Sequence, residues 1–379
     1  MTKASNKKIK VLMITPALNY GGGIEKFVIN YTKYLSKNII IDVATHENNS
    51  KDFRNLIKER GGKLFLFPKL NGKNIFGFCH ELNLFFSKNH DYDIIHCNMP
   101  NASPFYFYYA KKYNIKNLIL HSHETDYADI FSHKLRNIPL IKLGKKMANI
   151  YAACSEKAGN FMFKKQKYIV FNNAIEADKY IYNQKIRKEY LKKLKINHNE
   201  KIIGHIGRLT PVKNQLFLLD IFKELKIMDS NYKLLLIGKG EMYKKIKKKI
   251  QDLNLNDSVI MIDSIPDPED YYQVMDIFVL PSIYEGLPFV AVEAQASGLH
   301  VVTSTSVSNE IPLKNNVTYL SLELPAKEWA KKIKSIIENN DRENTYDLIK
   351  KAGFDIKTEA HKLEELYVKI SKSSNSKKE

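Results

Sequence analysis

The chain alternates, twice over, between short apolar runs and longer segments of helical spacing, and that alternation leaves few folds open to it. In the first half, residues 9–14 (IKVLMI), 39–44 (IIIDVA), 63–67, 91–97, 118–120, 150–154 and 168–171 read as buried strands, with helical patterns between them, among them FVINYTKYL after Gly23 and the aromatic segment 100–113. Runs that are apolar throughout suit a strand covered on both faces, which is the situation in a parallel sheet. The second half repeats the pattern, with strands at 201–206, 232–237, 259–262, 277–280, 300–303 and 318–322. The expected class is therefore α/β, with two Rossmann-like doubly wound domains facing each other across a cleft. The first domain is placed at 1–175, a linker at 176–199 and the second domain at 200–354. A C-terminal helix at 355–371 and a polar, disordered tail at 372–379 complete the expected organisation.

At 379 residues and 44% hydrophobic the chain can bury two cores, and 27% charged residues exclude global disorder. No apolar run reaches the roughly 18–20 residues that span a bilayer, so a cytoplasmic location is expected. Cys79, Cys97 and Cys154 form neither a disulfide framework nor a metal pattern. The net charge of +19 is uneven, since residues 1–175 hold 27 Lys and Arg against 12 Asp and Glu. Such a surface attracts an anionic membrane or nucleic acid, and charge alone does not choose between them. Residues 134–147 mix basic and apolar side chains, and fit either a membrane surface or a core helix with a solvated basic side. Pro139 and Gly144 argue there against one uninterrupted helix.

Candidate ligand chemistry gathers where strands end. After the first strand come Gly21, Gly22 and Gly23 and then a helix, an arrangement that lets a backbone approach an anion but equally fits a flexible turn. His96 ends one strand, and His121, His123 and Glu124 follow another. In the second half, Gly207 and Arg208 precede Lys213, and Gly238 and Gly240 bracket a lysine. Residues 282–298 (SIYEGLPFVAVEAQASG) place Glu285 just ahead of a helix and Glu293 within it, with Pro288 in the first turn and Gly298 as the stop. Taken alone, the two glutamates would read as a helix-dipole partner and a solvated face residue. Arg208 and Lys213 supply fixed positive charge for a diphosphate, and no Asp-x-Asp run marks a metal site, so no metal is expected.

Together, GGGIEKF, HSHE, NNAIEADKY, GRLTPVKN, GKGE and EGLPFVAVE with AQASG behind it resemble the family 4 glycosyltransferases of the two-Rossmann-domain (GT-B) type, especially bacterial exopolysaccharide and capsule enzymes. The similarity spans nearly the whole chain, and its most specific block is the Glu-x7-Glu arrangement of Glu285 and Glu293. It implies an acceptor-binding first domain, a nucleotide-sugar-binding second domain and a C-terminal helix returning to the first. It also implies a retaining hexosyl transfer, without a cofactor or metal, from a nucleotide diphosphate sugar, with a UDP-sugar as the expected donor. The acceptor would be a polyprenyl-linked saccharide at the inner face of an anionic membrane, with no nucleic-acid partner.

By this resemblance Arg208 and Lys213 hold the leaving diphosphate, Glu285 touches hydroxyls of the transferred sugar and Glu293 touches the ribose. Gly207, Gly238, Gly240, Gly286 and Leu287 would line the donor, and Gly22 and Gly23 the gap between donor and acceptor. His121 would stand near the reacting carbon, with His123 as its rival, and His123, Glu124 and His96 would lie towards the acceptor. A nucleotide-sugar epimerase or sugar-phosphate synthase of the same architecture, and a basic nucleic-acid-binding protein, are the competing readings.

Overall fold

A computed structural model describes residues 8–18, 23–47, 50–70, 74–123, 131–263, 265, 267–339 and 342–375. The chain divides into two units, one of residues 1–174 with 356–379 and the other of residues 175–355.

In the first unit β1 (Ile9–Thr15), α1 (Gly23–Tyr34), β2 (Ile39–Thr45), α2 (Lys51–Glu59), β3 (Leu64–Leu66), α3 (Ile75–Lys88) and β4 (Ile94–Cys97) are followed by α4 (Ser103–Lys112), β5 (Asn117–Ser122), α5 (Phe131–Met147), β6 (Ile150–Ala153), α6 (Glu156–Phe163) and β7 (Ile169–Val170). The strands form one sheet in the order β3-β2-β1-β4-β5-β6-β7, and each pairing in it is parallel. Alternate residues of β1 serve opposite faces. Val11 and Met13 pack with Phe27, Val28 and Tyr31 of α1, whereas Leu12 and Ile14 pack with Phe78, Tyr106 and Ile141 of α3, α4 and α5. The C-terminal helix, Ile356–Asn375, joins the first of these cores through Ile356, Ala360, Leu363 and Tyr367. Its return to the first unit agrees with expectation, but it extends past residue 371 into the stretch expected to be disordered.

The second unit runs α7 (Gln184–Lys193), β8 (Lys201–Ile206), α8 (Gln215–Met228), β9 (Tyr232–Ile237), α9 (Tyr243–Asp252), β10 (Val259–Ile262), α10 (Glu269–Val274), β11 (Ile277–Leu280), α11 (Phe289–Ala296), β12 (Val301–Ser304), β13 (Val317–Leu320), α12 (Ala326–Asn339) and α13 (Tyr346–Lys351). Its strand order is β10-β9-β8-β11-β12-β13, again with parallel pairing.

Two segments differ from what their sequence suggests. Residues 176–199, expected as a linker, form a 3-10 turn (Ala177–Tyr180) and α7, and their Ala177, Tyr180 and Leu191 are buried with Tyr272 and Val274 of α10. The amphipathic spacing that reads as exposed lysine-rich helix also supplies one buried stripe, and that stripe joins the second unit. The helix α5 continues through Pro139 and Gly144. Pro139 removes the donor that would serve the Leu135 carbonyl, yet Leu135 is 61% exposed, so that carbonyl can turn to water. A Cβ on Gly144 would fall 1.9 Å from Ser103 Oγ, so the glycine permits close packing on α4 where it was expected to argue against an uninterrupted helix. Among the described residues no helix is long and apolar enough to cross a membrane.

A single arginine ties the second unit together. Arg342 donates from Nε to the Ser297 carbonyl (2.7 Å), from Nη1 to Gln273 (2.9 Å) and Met275 (3.1 Å), and from Nη2 to Tyr272 (2.9 Å). Its guanidinium also lies 4.1 Å from the centre of the Tyr182 ring, and burial lowers its pKa to about 9. Removing it strands the Ser297 carbonyl at the end of α11 and leaves the Gln273 and Met275 carbonyls only the longer bonds from Arg187 Nη1 (3.2 and 3.3 Å). Arg342→Ala should therefore lower the stability of the second unit by about 3 kcal/mol, read as a lowered urea midpoint; a change below about 1 kcal/mol would show these bonds to be dispensable.

Candidate active site

In each sheet strand order reverses at one place, between β1 and β4 and between β8 and β11. Helices leaving adjacent strands for opposite faces open a crevice at the strands' C-terminal ends, where ligands of such sheets bind. Most of the candidate residues with described positions lie at these two places.

In the second unit the loops after β8 and β9 are stitched together. Gly207 N–H donates to the Ile237 carbonyl (3.0 Å), Leu209 N–H to Lys239 (2.9 Å) and Met242 N–H to Leu209 (3.0 Å). A Cβ on Gly238 would come within 1.9 Å of the Gly207 oxygen, so the crossing requires glycine. The β8 loop is also tied to the β11 loop, through the Ile283 N–H on the Val212 carbonyl (2.7 Å). Lys213 Nζ then lies 2.6 Å from Glu285 Oε2, with 19% and 13% of the two side chains exposed. Ser282 Oγ donates to Glu285 Oε1 (2.5 Å), and Ser308 N–H donates to the Glu285 carbonyl (3.0 Å). Arg208 is exposed. Among the described residues its guanidinium forms no hydrogen bond or ion pair.

Gly286 and Leu287 lie between this pair and α11, Gly286 with open space on its Cα. Pro288 is the N-cap of α11 rather than a first-turn residue, with φ −78° and ψ 122°. At the other end Gly298 N–H bonds to the Gln295 carbonyl (2.9 Å) and Leu299 N–H to Ala294 (3.0 Å), the paired bonds of a Schellman stop. Glu293 is not on a solvated face. It is 1% exposed, and Tyr272 donates to its Oε2 at 2.9 Å. Burial and the Glu293 carboxylate together push the Tyr180 and Tyr272 phenols well above their ordinary pKa, so both hydroxyls keep their protons.

Two supports were not singled out from sequence. His205 Nδ1 faces the Val279 carbonyl (2.8 Å), so that nitrogen carries the hydrogen and Nε2 accepts from Gln215 Nε2 (3.3 Å). The same Gln215 nitrogen donates to the Arg208 carbonyl (2.8 Å), fixing the backbone that presents Arg208.

In the first unit His96 and His121 are fully buried, and His123 is half-buried. The His121 and His123 rings lie 4.1 Å apart, with Phe27 of α1 edge-on to both. His96 bonds through Nε2 to His121 Nδ1 (2.9 Å) and through Nδ1 to the Tyr367 hydroxyl (2.7 Å). Both of its ring nitrogens are therefore engaged within the first unit, near the C-terminal end of β4. His123 Nε2 meets Asn98 Oδ1 at 2.8 Å. One nitrogen of each remaining ring, His121 Nε2 and His123 Nδ1, is buried without a partner among the described residues. Gly23 begins α1, while Gly22 and Glu124 fall outside the described residues. Among the described residues no group of three or more His, Cys, Asp or Glu could hold a metal ion.

Two doubly wound parallel units, with the C-terminal helix packed on the first, define the GT-B architecture. Residues 21–179 match Glycosyltransferase Family 4 and residues 186–353 match Glycosyl transferases group 1. A putative glycosyltransferase of Bacillus subtilis (strain 168), EpsF, is 30% identical over 333 residues, 86% of each chain. The UDP-Gal:alpha-D-GlcNAc-diphosphoundecaprenol alpha-1,3-galactosyltransferase of Escherichia coli is 26% identical over 257 residues, 60% of this chain and 64% of that one. Among solved structures, Anabaena HepE in complex with UDP aligns with TM-score 0.77 and 18% identity, over 95% of this chain and 100% of that one. The chain belongs to the family 4 glycosyltransferases and is related to bacterial capsule and exopolysaccharide glycosyltransferases.

The buried histidines make acid stability a direct test. Burial, with the neighbouring rings, lowers His96 to about 3 and His121 well below its ordinary value, while burial alone lowers His123 to about 3. In the unfolded chain these groups titrate near 6.5, so as pH falls the unfolded state takes up protons before the native one. The stability they contribute is complete above about 6.5 and is lost progressively towards about 3, by at most about 1.4 kcal/mol per pH unit for each ring. The urea midpoint should accordingly be lower at pH 5 than at pH 7.5, and an equal midpoint at both would contradict buried neutral rings.

Proposed function

We propose that the protein transfers a hexose from a UDP-sugar to a lipid-linked saccharide during cell-surface polysaccharide synthesis, with the configuration at the anomeric carbon retained. The observation that carries this reading is the convergence at the β8/β11 reversal: Lys213 Nζ 2.6 Å from Glu285, exposed Arg208 on the same loop, and the glycine crossing beside them. That set offers cations for a diphosphate and a carboxylate for sugar hydroxyls in one crevice. The choice of donor and acceptor is further supported by relatives, since HepE was solved with UDP and with UDP-glucose and the Escherichia coli enzyme is named for UDP-Gal and a diphosphoundecaprenol acceptor.

In this reading the bond from the anomeric carbon to the β-phosphate oxygen breaks, and that oxygen keeps the electron pair. The acceptor hydroxyl attacks the same face of a short-lived oxocarbenium-like ion, and its proton passes to the departing phosphate. Arg208, Lys213 and the N–H groups at the start of α11 stabilise the charge growing on that phosphate. Glu285 orients sugar hydroxyls and Glu293 the ribose, with Gly286 and Leu287 along the donor. His121, with His123 as its rival, is the histidine this reading assigns to the transferred sugar.

The acceptor side draws on the charge of residues 1–175. There α3, α4 and α5 pack on one face of the sheet and expose Phe76 (88%), Tyr108 (58%), Leu135 (61%) and Leu143 (49%), and α4 and α5 also carry Lys111, Lys112, Lys134, Lys142, Lys145 and Lys146. Apolar side chains on helices that also carry basic ones suit the surface of an anionic bilayer, which supports peripheral association with the inner face of the membrane.

Arg208→Ala and Lys213→Ala should each reduce kcat by roughly 10²–10³-fold with the thermal unfolding curve kept; near-normal turnover in both would remove the leaving-group assignment. UDP-sugars should raise the melting temperature by mass action, and a screen in which none does counts against the donor. In a separate measurement, the chain should sediment with vesicles of anionic lipid at low salt and be released at high salt. No sedimentation at low salt would end the membrane part of the reading.

A further inference from the structure

The three histidines of the first unit are wired in two separate ways, and each wiring sets where a ring carries its hydrogen. The Asn98 side chain donates from Nδ2 to the Ile14 carbonyl (3.1 Å). A carbonyl only accepts, so this bond orients the amide and leaves Oδ1 for His123 Nε2 at 2.8 Å. An amide oxygen also only accepts, so His123 carries its hydrogen on Nε2, and its Nδ1, without a partner among the described residues, is a lone pair.

The second chain runs from the C-terminal helix: the Tyr367 hydroxyl to His96 Nδ1 (2.7 Å), then His96 Nε2 to His121 Nδ1 (2.9 Å). Two proton arrangements satisfy these distances. In one, Tyr367 donates to His96, His96 Nε2–H donates to His121, and His121 is left with Nε2–H. In the other, every bond is reversed, and the phenol proton of Tyr367 has no acceptor. Tyr367 is 0% exposed and lies among Phe27, Tyr31 and Leu363, where a stranded donor loses its full hydration. The first arrangement instead moves the donor left unpartnered among the described residues to His121 Nε2, near the C-terminal end of β5, where ligands of such sheets bind.

We infer that Tyr367, His96 and Asn98 are positioning residues that hold His121 as a neutral Nε2–H donor and His123 as a neutral Nδ1 acceptor. This donor and acceptor, on rings 4.1 Å apart, would engage a neutral hydroxyl of the transferred sugar or acceptor rather than a phosphate. The inference rests on the reading of His121 as facing the transferred sugar. The burial that keeps all three rings unprotonated near neutral pH agrees with it, since a protonated ring would have no tautomer to set.

The test is the tautomeric state itself, read by long-range ¹H–¹⁵N correlation on the full chain carrying ¹⁵N-histidine, with His121→Asn and His123→Asn used to assign the signals. The wild-type protein should show hydrogen on Nε2 of His121 and of His123. In Tyr367→Phe, His96 loses the partner that orients it, and His121 should shift towards the Nδ1–H form. Nδ1–H on His121 in the wild type, or a His121 tautomer unchanged by Tyr367→Phe, would overturn the inference.

If Tyr367→Phe does not fold, His96→Gln and His96→Leu replace it. Glutamine keeps an N–H for His121 Nδ1 and should preserve its Nε2–H form, leucine should not, and equal tautomers in the two would also overturn it. With UDP-glucose as the probe, kcat of Tyr367→Phe should fall roughly tenfold while KM stays within about twofold; a fall in KM-dependent terms alone would indicate a merely structural role. Absence of turnover by the wild type counts against the transferase reading, whereas the tautomer measurement needs no donor and decides this inference independently.

Discussion

The reversal of strand order between β8 and β11 is the constraint from which the rest of the second unit follows. Because α8 packs into one core with Leu218 and Leu219 and α11 into the other with Ala291 and Ala294, the two connections must leave adjacent strands in opposite directions. Neither can cover the gap, so it is lined by loop backbone and by whatever side chains those loops carry. Backbone packed this tightly leaves no room for a Cβ, and Gly238 sits against Gly207 for that reason. The same logic operates at β1 and β4, where α1 and α4 join opposite cores and Asn98 N–H bonds back to the Ile14 carbonyl.

Given that geometry, polar chemistry in the crevice has to be stabilised by its surroundings. Two carboxylates solve the problem differently. Glu285 is held from two sides, by a lysine and by a serine hydroxyl, and stays partly open to water, where a charge is tolerable and a ligand can compete for it. Glu293 is almost wholly enclosed and depends on neutral donors such as Tyr272. Burying a carboxylate without such bonds costs several kcal/mol, so the tyrosines are as necessary to this position as the glutamate.

Much of this was legible in residue order, and the parts that were not share a physical reason. Uninterrupted apolar strands between helical segments imply parallel sheets, and Gly298 announces the end of α11 through its stop geometry. Periodicity is a local signal, however, and each surprise is a tertiary effect. Pro139 ends isolated helices, but here the flanking turns are held by packing on α4. Residues 176–199 look like a charged linker until their few apolar side chains find α10. His96 reads from sequence as a strand-end histidine, and only the fold shows that its two nitrogens meet Tyr367 and His121. Arg208, Lys213 and Glu285 could be singled out because their motifs are contiguous. Gln215 and His205 could not, since their role is to bind backbone of another segment.

Tyr367 shows how far that non-local dependence extends. It lies 271 residues from the histidine it contacts. Its one advance signal was its place in the buried stripe Ile356, Ala360, Leu363 and Tyr367, spaced for one face of a helix. Such a stripe announces that the helix must be covered but says nothing of the partner. Once the helix docks beside α1 and β1, the stripe delivers a phenol to His96, near the end of β4. An apolar residue there would complete the core equally well by area, yet would leave His96 Nδ1 unsatisfied in a medium where that omission costs about 1–3 kcal/mol. The hydroxyl is therefore explained by the polar group it meets rather than by packing, and it makes the chemistry at the edge of β5 depend on the last helix of the chain.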